Sequence, residues 1–115
     1  MRLMTAAGLV ILCATTGAQT IPTSDAAKHL GEQGTVCGRI ASEHRATSSR
    51  GTPTFINLDK PYPNQVFTVL IWGSDLSKVG AIPSSGMLCA TGEITSYRGT
   101  PEIVVKDAKR WYVPK

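Results

Sequence analysis

Short apolar runs, separated by clusters of glycine, proline and polar residues, make up most of the chain after its first twenty residues. Runs of this length that are rich in Val, Ile, Thr and Phe and bounded by turn residues are typical of β-strands. The pattern predicts five strands, over residues 35–42, 54–58, 66–72, 87–95 and 102–106. The third run is the most continuously apolar, which favours a buried central strand.

Two segments between these runs predict short helices. Ser24 can cap a helix that Gly31 ends, and a helical turn over 74–79 can begin at Ser74. The other connections contain the Gly, Pro, Asn and Ser residues that are typical of turns and loops. They cover 44–53, 59–64 and 97–101.

An all-β domain with five strands and a helical insertion after the third is typical of a Greek-key barrel of the OB type. Gly38 and Gly92 lie inside the first and fourth strands, where a glycine marks a bulge or a sharp coil. In this fold the first strand lies antiparallel to the fourth. That arrangement would place Cys37 and Cys89 on neighbouring strands. It would also allow Arg39 and Glu93 to pair across them.

The first eighteen residues have the pattern of a secretory signal peptide: a positive start at Arg2, an apolar run, and then small polar residues. Cleavage is predicted after Ala18, leaving a single domain over 19–115. Cleavage after Ala14 or Thr20, lipid attachment at Cys13 and an uncleaved anchor stay open. The expected location is the periplasm or the extracellular space.

Composition narrows the class of protein further. The chain has 115 residues, a formal net charge of +4, 42% hydrophobic residues and 17% charged residues. Its length supports one small domain, and its apolar content is too high for a disordered chain. Beyond the N-terminus no apolar run is long enough to span a membrane, so no transmembrane segment is expected in the mature protein.

The cysteines of the predicted mature domain allow two interpretations. Cys37 and Cys89 form a disulfide in an oxidising compartment, or they are two buried thiols. A four-ligand zinc site would need two further Cys or His residues at close spacing, and His29 and His44 do not supply them. We therefore expect no metal and no cofactor.

Several segments together resemble small bacterial OB-fold proteins of the nucleic-acid-binding type, and more distantly the anticodon-binding OB domains of aminoacyl-tRNA synthetases. The resemblance covers nearly all of the predicted mature domain, and its most specific part is the Tyr-x-Gly-x-Pro-Glu-Ile turn over 97–103. Other matching parts are Val-Cys-Gly-Arg-Ile at 36–40 and Thr-Phe-Ile-Asn-Leu at 54–58. The resemblance implies an OB fold and a binding role. The secretion signal and the two cysteines depart from the intracellular relatives.

OB folds that bind single strands combine aromatic side chains, on which bases stack, with a basic groove. The candidate nucleic-acid-binding residues in this chain are His44, Arg45, Arg50, Phe55, Asn57, Trp72, Tyr97 and Arg98. Thr68 can face the same groove.

Each candidate has a structural alternative. Phe55 can belong to the core, Tyr97 can pack against Pro101, and the arginines can be ordinary surface charge. No nucleophile, paired-carboxylate or phosphate-loop motif supports catalysis, so a non-enzymatic role is expected. The leading prediction is binding of single-stranded nucleic acid with little sequence preference. The alternative is a periplasmic adaptor or ligand-binding module for a protein, a glycan or a small molecule.

Overall fold

The computed structural model describes residues 20–115, and the predicted signal peptide lies outside them. Residues 20–115 form eight strands. They are β1 (Thr20–Pro22), β2 (Gln33–Arg45), β3 (Thr54–Leu58), β4 (Phe67–Ile71), β5 (Met87–Glu93), β6 (Thr95–Tyr97), β7 (Thr100–Val104) and β8 (Trp111–Tyr112). The helical elements are short: 3-10 helices over Thr23–His29, Gly73–Asp75 and Ala108–Arg110, and α1 (Leu76–Val79).

The strands form one continuous sheet in the order β6-β7-β4-β3-β2-β5-β8, with β1 paired to β2. β4 and β7 run parallel, β1 and β2 run parallel, and the other neighbours are antiparallel. β5 and β6 are separated only by Ile94, so the chain passes directly from β5, next to one end of the path, to β6 at the other end. This mostly β, OB-like architecture confirms the predicted fold class at the coarser level.

The predicted number of strands was wrong. Five of the eight strands are at least five residues long, and these overlap the five predicted segments, with β7 beginning and ending two residues earlier than predicted. β1 and β8 contain three and two residues, and each is a strand because it pairs with a longer neighbour. β6 continues the predicted fourth strand after a break at Ile94.

β2 joins two halves of the sheet, one formed by β3, β4, β7 and β6 and the other by β5 and β8. It does so because its thirteen residues are divided between two antiparallel partners. Its first part pairs with β5, and its last part pairs with β3. The pairing with β3 shifts register between Ile40 and Ser42, which places one extra residue, Ala41, in β2. Because successive strand residues point to opposite faces, this bulge turns Ser42 and His44 to the face opposite the core.

Gly38 does not lie at the bulge; it lies where side chains of neighbouring elements pack directly against the backbone of β2. A Cβ atom added there would lie 2.6 Å from Cγ2 of Thr23 and 3.1 Å from Cβ of Leu58. Thr23 also donates a hydrogen bond to Asp59, whose other carboxylate oxygen accepts from the Arg39 amide at 2.9 Å. Only glycine therefore fits where β2 passes the N-terminal helix and the end of β3.

The core lies on the inner face of the sheet. Its fully buried side chains include Ile56, Leu58, Phe67, Val69 and Ile103. They alternate with outward residues along β3, β4 and β7, as the two-residue period of a strand requires. The N-terminal 3-10 helix and α1 cover this core through Ala26 and Val79.

Four local predictions need correction. Pro22 is the N-cap residue of the N-terminal helix and makes no side-chain hydrogen bond there, so Ser24 is not its cap. Ser74 lies inside the second 3-10 helix, whose N-cap is Trp72, so the helical turn does not begin at Ser74. His44 and Arg45 belong to β2 rather than to a loop, because they pair with Phe55 and Thr54 of β3. The remaining correction is the predicted pairing of Arg39 with Glu93 across β2 and β5.

Cys37 lies directly opposite Cys89 across the β2–β5 ladder, and the two form a disulfide. This confirms the disulfide and excludes the alternative of two free thiols. In the same ladder Arg39 faces Met87, so the predicted pairing of Arg39 with Glu93 was wrong.

Candidate functional site

A groove of about 540 Å³ crosses the outer face of the sheet, opposite the core. β2, β3, β4 and β7 form its floor, and the loops after β2 and β3 and the β6–β7 turn form its sides. We call this the outer groove. It is lined by His44, Ala46, Ser49, Phe55, Asn57, Tyr62, Pro63, Gln65, Thr68, Tyr97, Arg98, Thr100 and Glu102.

A row of polar residues crosses this face from strand to strand, and we call it the polar row. Its members are successive cross-strand partners: Ser42, Asn57, Thr68, Glu102 and Thr95. Asn57 donates from Nδ2 to Ser42 Oγ at 3.0 Å and accepts from Thr68 Oγ1 at 3.4 Å. Hydrogen bonds therefore fix Ser42, Asn57 and Thr68 within the row before any ligand arrives.

Glu102 is the acidic member of the polar row and lies at the groove floor. It is 9% exposed, and no basic side chain in residues 20–115 forms an ion pair with it. Burial raises the pKa of this carboxyl above its ordinary value because desolvation disfavours the charged form. The other titratable residues that line the groove are His44, Tyr62, Tyr97 and Arg98.

Three aromatic side chains border the groove. Phe55 lies on the floor, half-buried and directly opposite His44. Tyr97, at the end of β6, is 52% exposed. Tyr62, in the loop between β3 and β4, is 72% exposed. Exposed aromatic faces beside a polar floor are suited to stacking on flat ligands such as nucleobases.

Arg98 stands at the rim in the two-residue turn between β6 and β7. Its φ is +51° and that of Gly99 is +84°, which are the φ signs of the type I′ hairpin turn. Its guanidinium lies 5.2 Å from the centre of the Tyr97 ring, a cation–π distance. The turn therefore presents one aromatic ring and one permanent positive charge together.

The structure brings five of the eight predicted binding residues to the outer groove. These are His44, Phe55, Asn57, Tyr97 and Arg98. The amide of Asn57 is 2% exposed and engaged within the polar row.

The other three predicted residues lie elsewhere. Arg45 faces the opposite side of β2 from His44 and borders a smaller cleft near α1. Arg50 is exposed in the loop after β2 and is not among the residues lining the groove. Trp72 packs against the same loop: a Cβ atom added at Gly51 would lie 2.9 Å from its ring.

Several lining residues were missing from the prediction, chiefly Tyr62, Gln65 and Glu102. Tyr62 and Gln65 belong to a segment whose prolines indicated only a turn. Glu102 lies between the inward-facing residues Pro101 and Ile103 of β7. This two-residue alternation could have predicted from the sequence that Glu102 faces the groove. Thr68 was expected to face the groove and lines it.

Residues 20–115 contain no group of three or more His, Cys, Asp or Glu side chains placed to hold a metal ion. Within the same range, no helix combines the length and apolar character needed to cross a bilayer.

Comparison with known proteins extends these observations at the level of fold. No family model matches the chain, and no curated protein matches it by sequence. Among the solved structures that match, two are similar over 86% of the chain. One is a protein of Leishmania major Friedlin assigned as an aspartyl-tRNA synthetase, with a TM-score of 0.56 and 11% identity. The other is the asparaginyl-tRNA synthetase of Entamoeba histolytica, with a TM-score of 0.54 and 21% identity.

The chain spans only 21% and 24% of the lengths of these two synthetases. At such identities the likeness shows the fold alone. It confirms the coarser part of the resemblance seen in the sequence, an OB-like fold shared with aminoacyl-tRNA synthetases. It assigns no synthetase activity to this chain.

Proposed function

We propose that this protein is a non-enzymatic binding module that holds single-stranded nucleic acid in the outer groove, with little sequence preference. The observation that supports this most is the placement of His44, Phe55, Tyr97 and Arg98 on one face of an OB-like sheet. Bases stack on the aromatic rings, and Arg98 contacts a phosphate. The likeness to tRNA synthetases supports a nucleic-acid ligand by analogy of fold.

The charge of the groove limits how strongly such a ligand is held. Arg98 and His44 are the basic residues among those that line it, and Glu102 opposes them. Few phosphate contacts give weak binding and a shallow dependence on salt, because each contact adds only about 0.7 to the slope for single strands. Stacking must therefore supply most of the binding free energy.

The polar side chains of Ser49, Gln65 and Thr100, which line the groove and are not fully buried, also favour a second candidate ligand, a neutral glycan. Both classes of ligand use aromatic stacking. They differ in charge, since a neutral glycan loses no counterions on binding. Salt dependence therefore separates them.

The test is a fluorescence anisotropy titration of a labelled mixed-sequence single strand, as DNA and as RNA, at low and at physiological salt. We expect binding that weakens with salt and falls about tenfold in Tyr97→Ala, a loss within the range for one base stack. Tyr112→Ala is the matched control, since Tyr112 is 44% exposed on β8 and is not among the groove-lining residues. Absence of binding at low salt, or binding only of a neutral oligosaccharide, would contradict the proposal.

We also propose export of the protein to the periplasm or the extracellular space. The charge and apolar pattern of the N-terminal eighteen residues support it. Mass spectrometry of the protein from its native cells tests it, with a mature N-terminus at Gln19 as the expected result. A cytoplasmic protein that retains Met1 would contradict it.

A further inference from the structure

We propose that the loop between β3 and β4 forms a second base-binding subsite of the outer groove, with Tyr62 as its stacking surface and Gln65 as its polar contact. This inference rests on the proposed function and adds a stacking position on the β3–β4 loop to those on the groove floor and at the β6–β7 turn. The ligand is then a segment of at least two consecutive nucleotides.

Tyr62 is the most exposed large hydrophobic side chain in residues 20–115, at 72%. An aromatic ring in this position gains little from packing and remains available to a ligand. The backbone around it is constrained, because Pro61 and Pro63 flank it and the Asn64 amide donates to the Pro61 carbonyl at 2.9 Å. A stacking residue on a constrained loop loses less conformational entropy when it binds.

The polar row holds this loop in place. Ser42 Oγ accepts a hydrogen bond from the backbone amide of Tyr62 at 3.3 Å, and it also accepts from Asn57 Nδ2 at 3.0 Å. The Val66 amide donates to the Leu58 carbonyl at 3.2 Å, which fixes the loop where it meets β3 and β4. Ser42 is therefore a positioning residue for Tyr62.

Gln65, three residues further along the same loop and also lining the groove, adds an unused polar group. Its Nε2 lies 3.5 Å from Thr68 Oγ1, while its Oε1 is enclosed and has no hydrogen-bond partner in the part of the chain that the structure describes. A buried acceptor without a partner is costly, and a donor that reaches it removes the cost. Every nucleobase edge with an amino or imino group can supply that donor after a rotation of the amide.

The experiment compares oligonucleotides of one to six residues on the wild type, Tyr62→Ala, Tyr62→Phe and the control Tyr112→Ala. Affinity for the wild type should rise with length and then level off. In Tyr62→Ala it should level off one nucleotide earlier and about tenfold lower, while Tyr62→Phe keeps the wild-type profile. Tyr112→Ala should behave as the wild type.

Two further variants separate binding from folding. Gln65→Met removes the unpartnered oxygen, so it should keep or raise thermal stability while lowering affinity several-fold. Ser42→Ala should weaken binding in the wild type but have no further effect in Tyr62→Ala, since it acts through that loop.

The outcomes distinguish this inference from the proposed function. Should Tyr62→Ala match Tyr112→Ala while Tyr97→Ala still weakens binding, the second subsite is wrong and the proposed function stands. Should the wild type bind no oligonucleotide of any length, both are wrong.

Discussion

Arg98 occupies a backbone conformation that residues with a Cβ atom disfavour, and this allows its binding role to be separated from its effect on stability. Its φ of +51° lies in the left-handed region, which costs an ordinary L-residue about 1–2 kcal/mol. Asparagine tolerates this region far better and is the favoured residue before Gly in a type I′ turn. Arg98→Asn therefore recovers part of that cost, about 0.5–1 kcal/mol.

The same substitution removes the cation–π contact with Tyr97. Both side chains are exposed, so this contact contributes about 0.5–1 kcal/mol. The two effects nearly cancel, and the melting temperature should change by less than about 4 °C for a domain of this size. Binding should nevertheless fall about tenfold, and the slope of log affinity against log salt should decrease by about 0.7, because one phosphate contact is lost.

Anisotropy titrations at four salt concentrations and thermal unfolding followed by circular dichroism measure both quantities. Arg110→Asn is the matched control: it changes the net charge equally, and Arg110 is exposed and is not among the groove-lining residues. Equal losses of affinity in the two variants would refute the assignment of Arg98 as a phosphate contact. A large loss of stability in Arg98→Asn would refute the reasoning about its backbone.

Three other variants test the remaining features. Burial raises the pKa of the Glu102 carboxyl, so between the unfolded and folded pKa values the folded state holds a proton that the unfolded state has released, and the free energy of unfolding falls as pH rises through that range. Glu102→Gln should abolish this fall and tighten oligonucleotide binding at neutral pH. Glu93→Gln, at an exposed position, should change neither the pH dependence nor the affinity. Replacing both Cys37 and Cys89 by Ala opens a link across 52 residues and should destabilise the fold by up to about 4 kcal/mol in urea unfolding; a loss below about 1 kcal/mol would contradict this. Gly38→Ala should cost about 1–3 kcal/mol in the same assay because its Cβ meets Thr23 and Leu58, and an unchanged midpoint would show that the strand can move away.

The strands that could be predicted are those marked by their own run of apolar residues, without reference to a pairing partner. β3 was predicted to the residue, since turn residues bound its five-residue run on both sides. β2 extends to Arg45, three residues beyond the prediction, because Glu43 and His44 are polar and become strand only by pairing with β3. β1 and β8 depend in the same way on a partner distant in sequence.

On the strands, groove residues could be predicted only where the face to which a side chain points does not depend on how the strand pairs with its neighbour. Phe55 and Asn57 could be assigned to the groove face from β3 alone. His44 reaches that face because Ala41 shifts the register, and nothing in the sequence marks the shift there. Arg45 was predicted as a loop residue, but pairing with Thr54 makes it part of β2, and the strand period turns it to the face opposite His44. Tyr62 was missed because an irregular loop has no period from which to derive direction.

The sharing of β2 between both halves of the sheet has a consequence for how the domain folds and opens. β2 pairs with β1 before it in the sequence and with β3 and β5 after it, and its rungs with β5 join residues 48 to 60 positions apart. Until the Cys37–Cys89 bond forms within this ladder, contacts this distant must overcome a loop-closure entropy before they stabilise the chain, which predicts slow folding of the reduced protein. Neither half can separate without releasing the same strand, so amide hydrogens along the middle of β2 should exchange only through global unfolding.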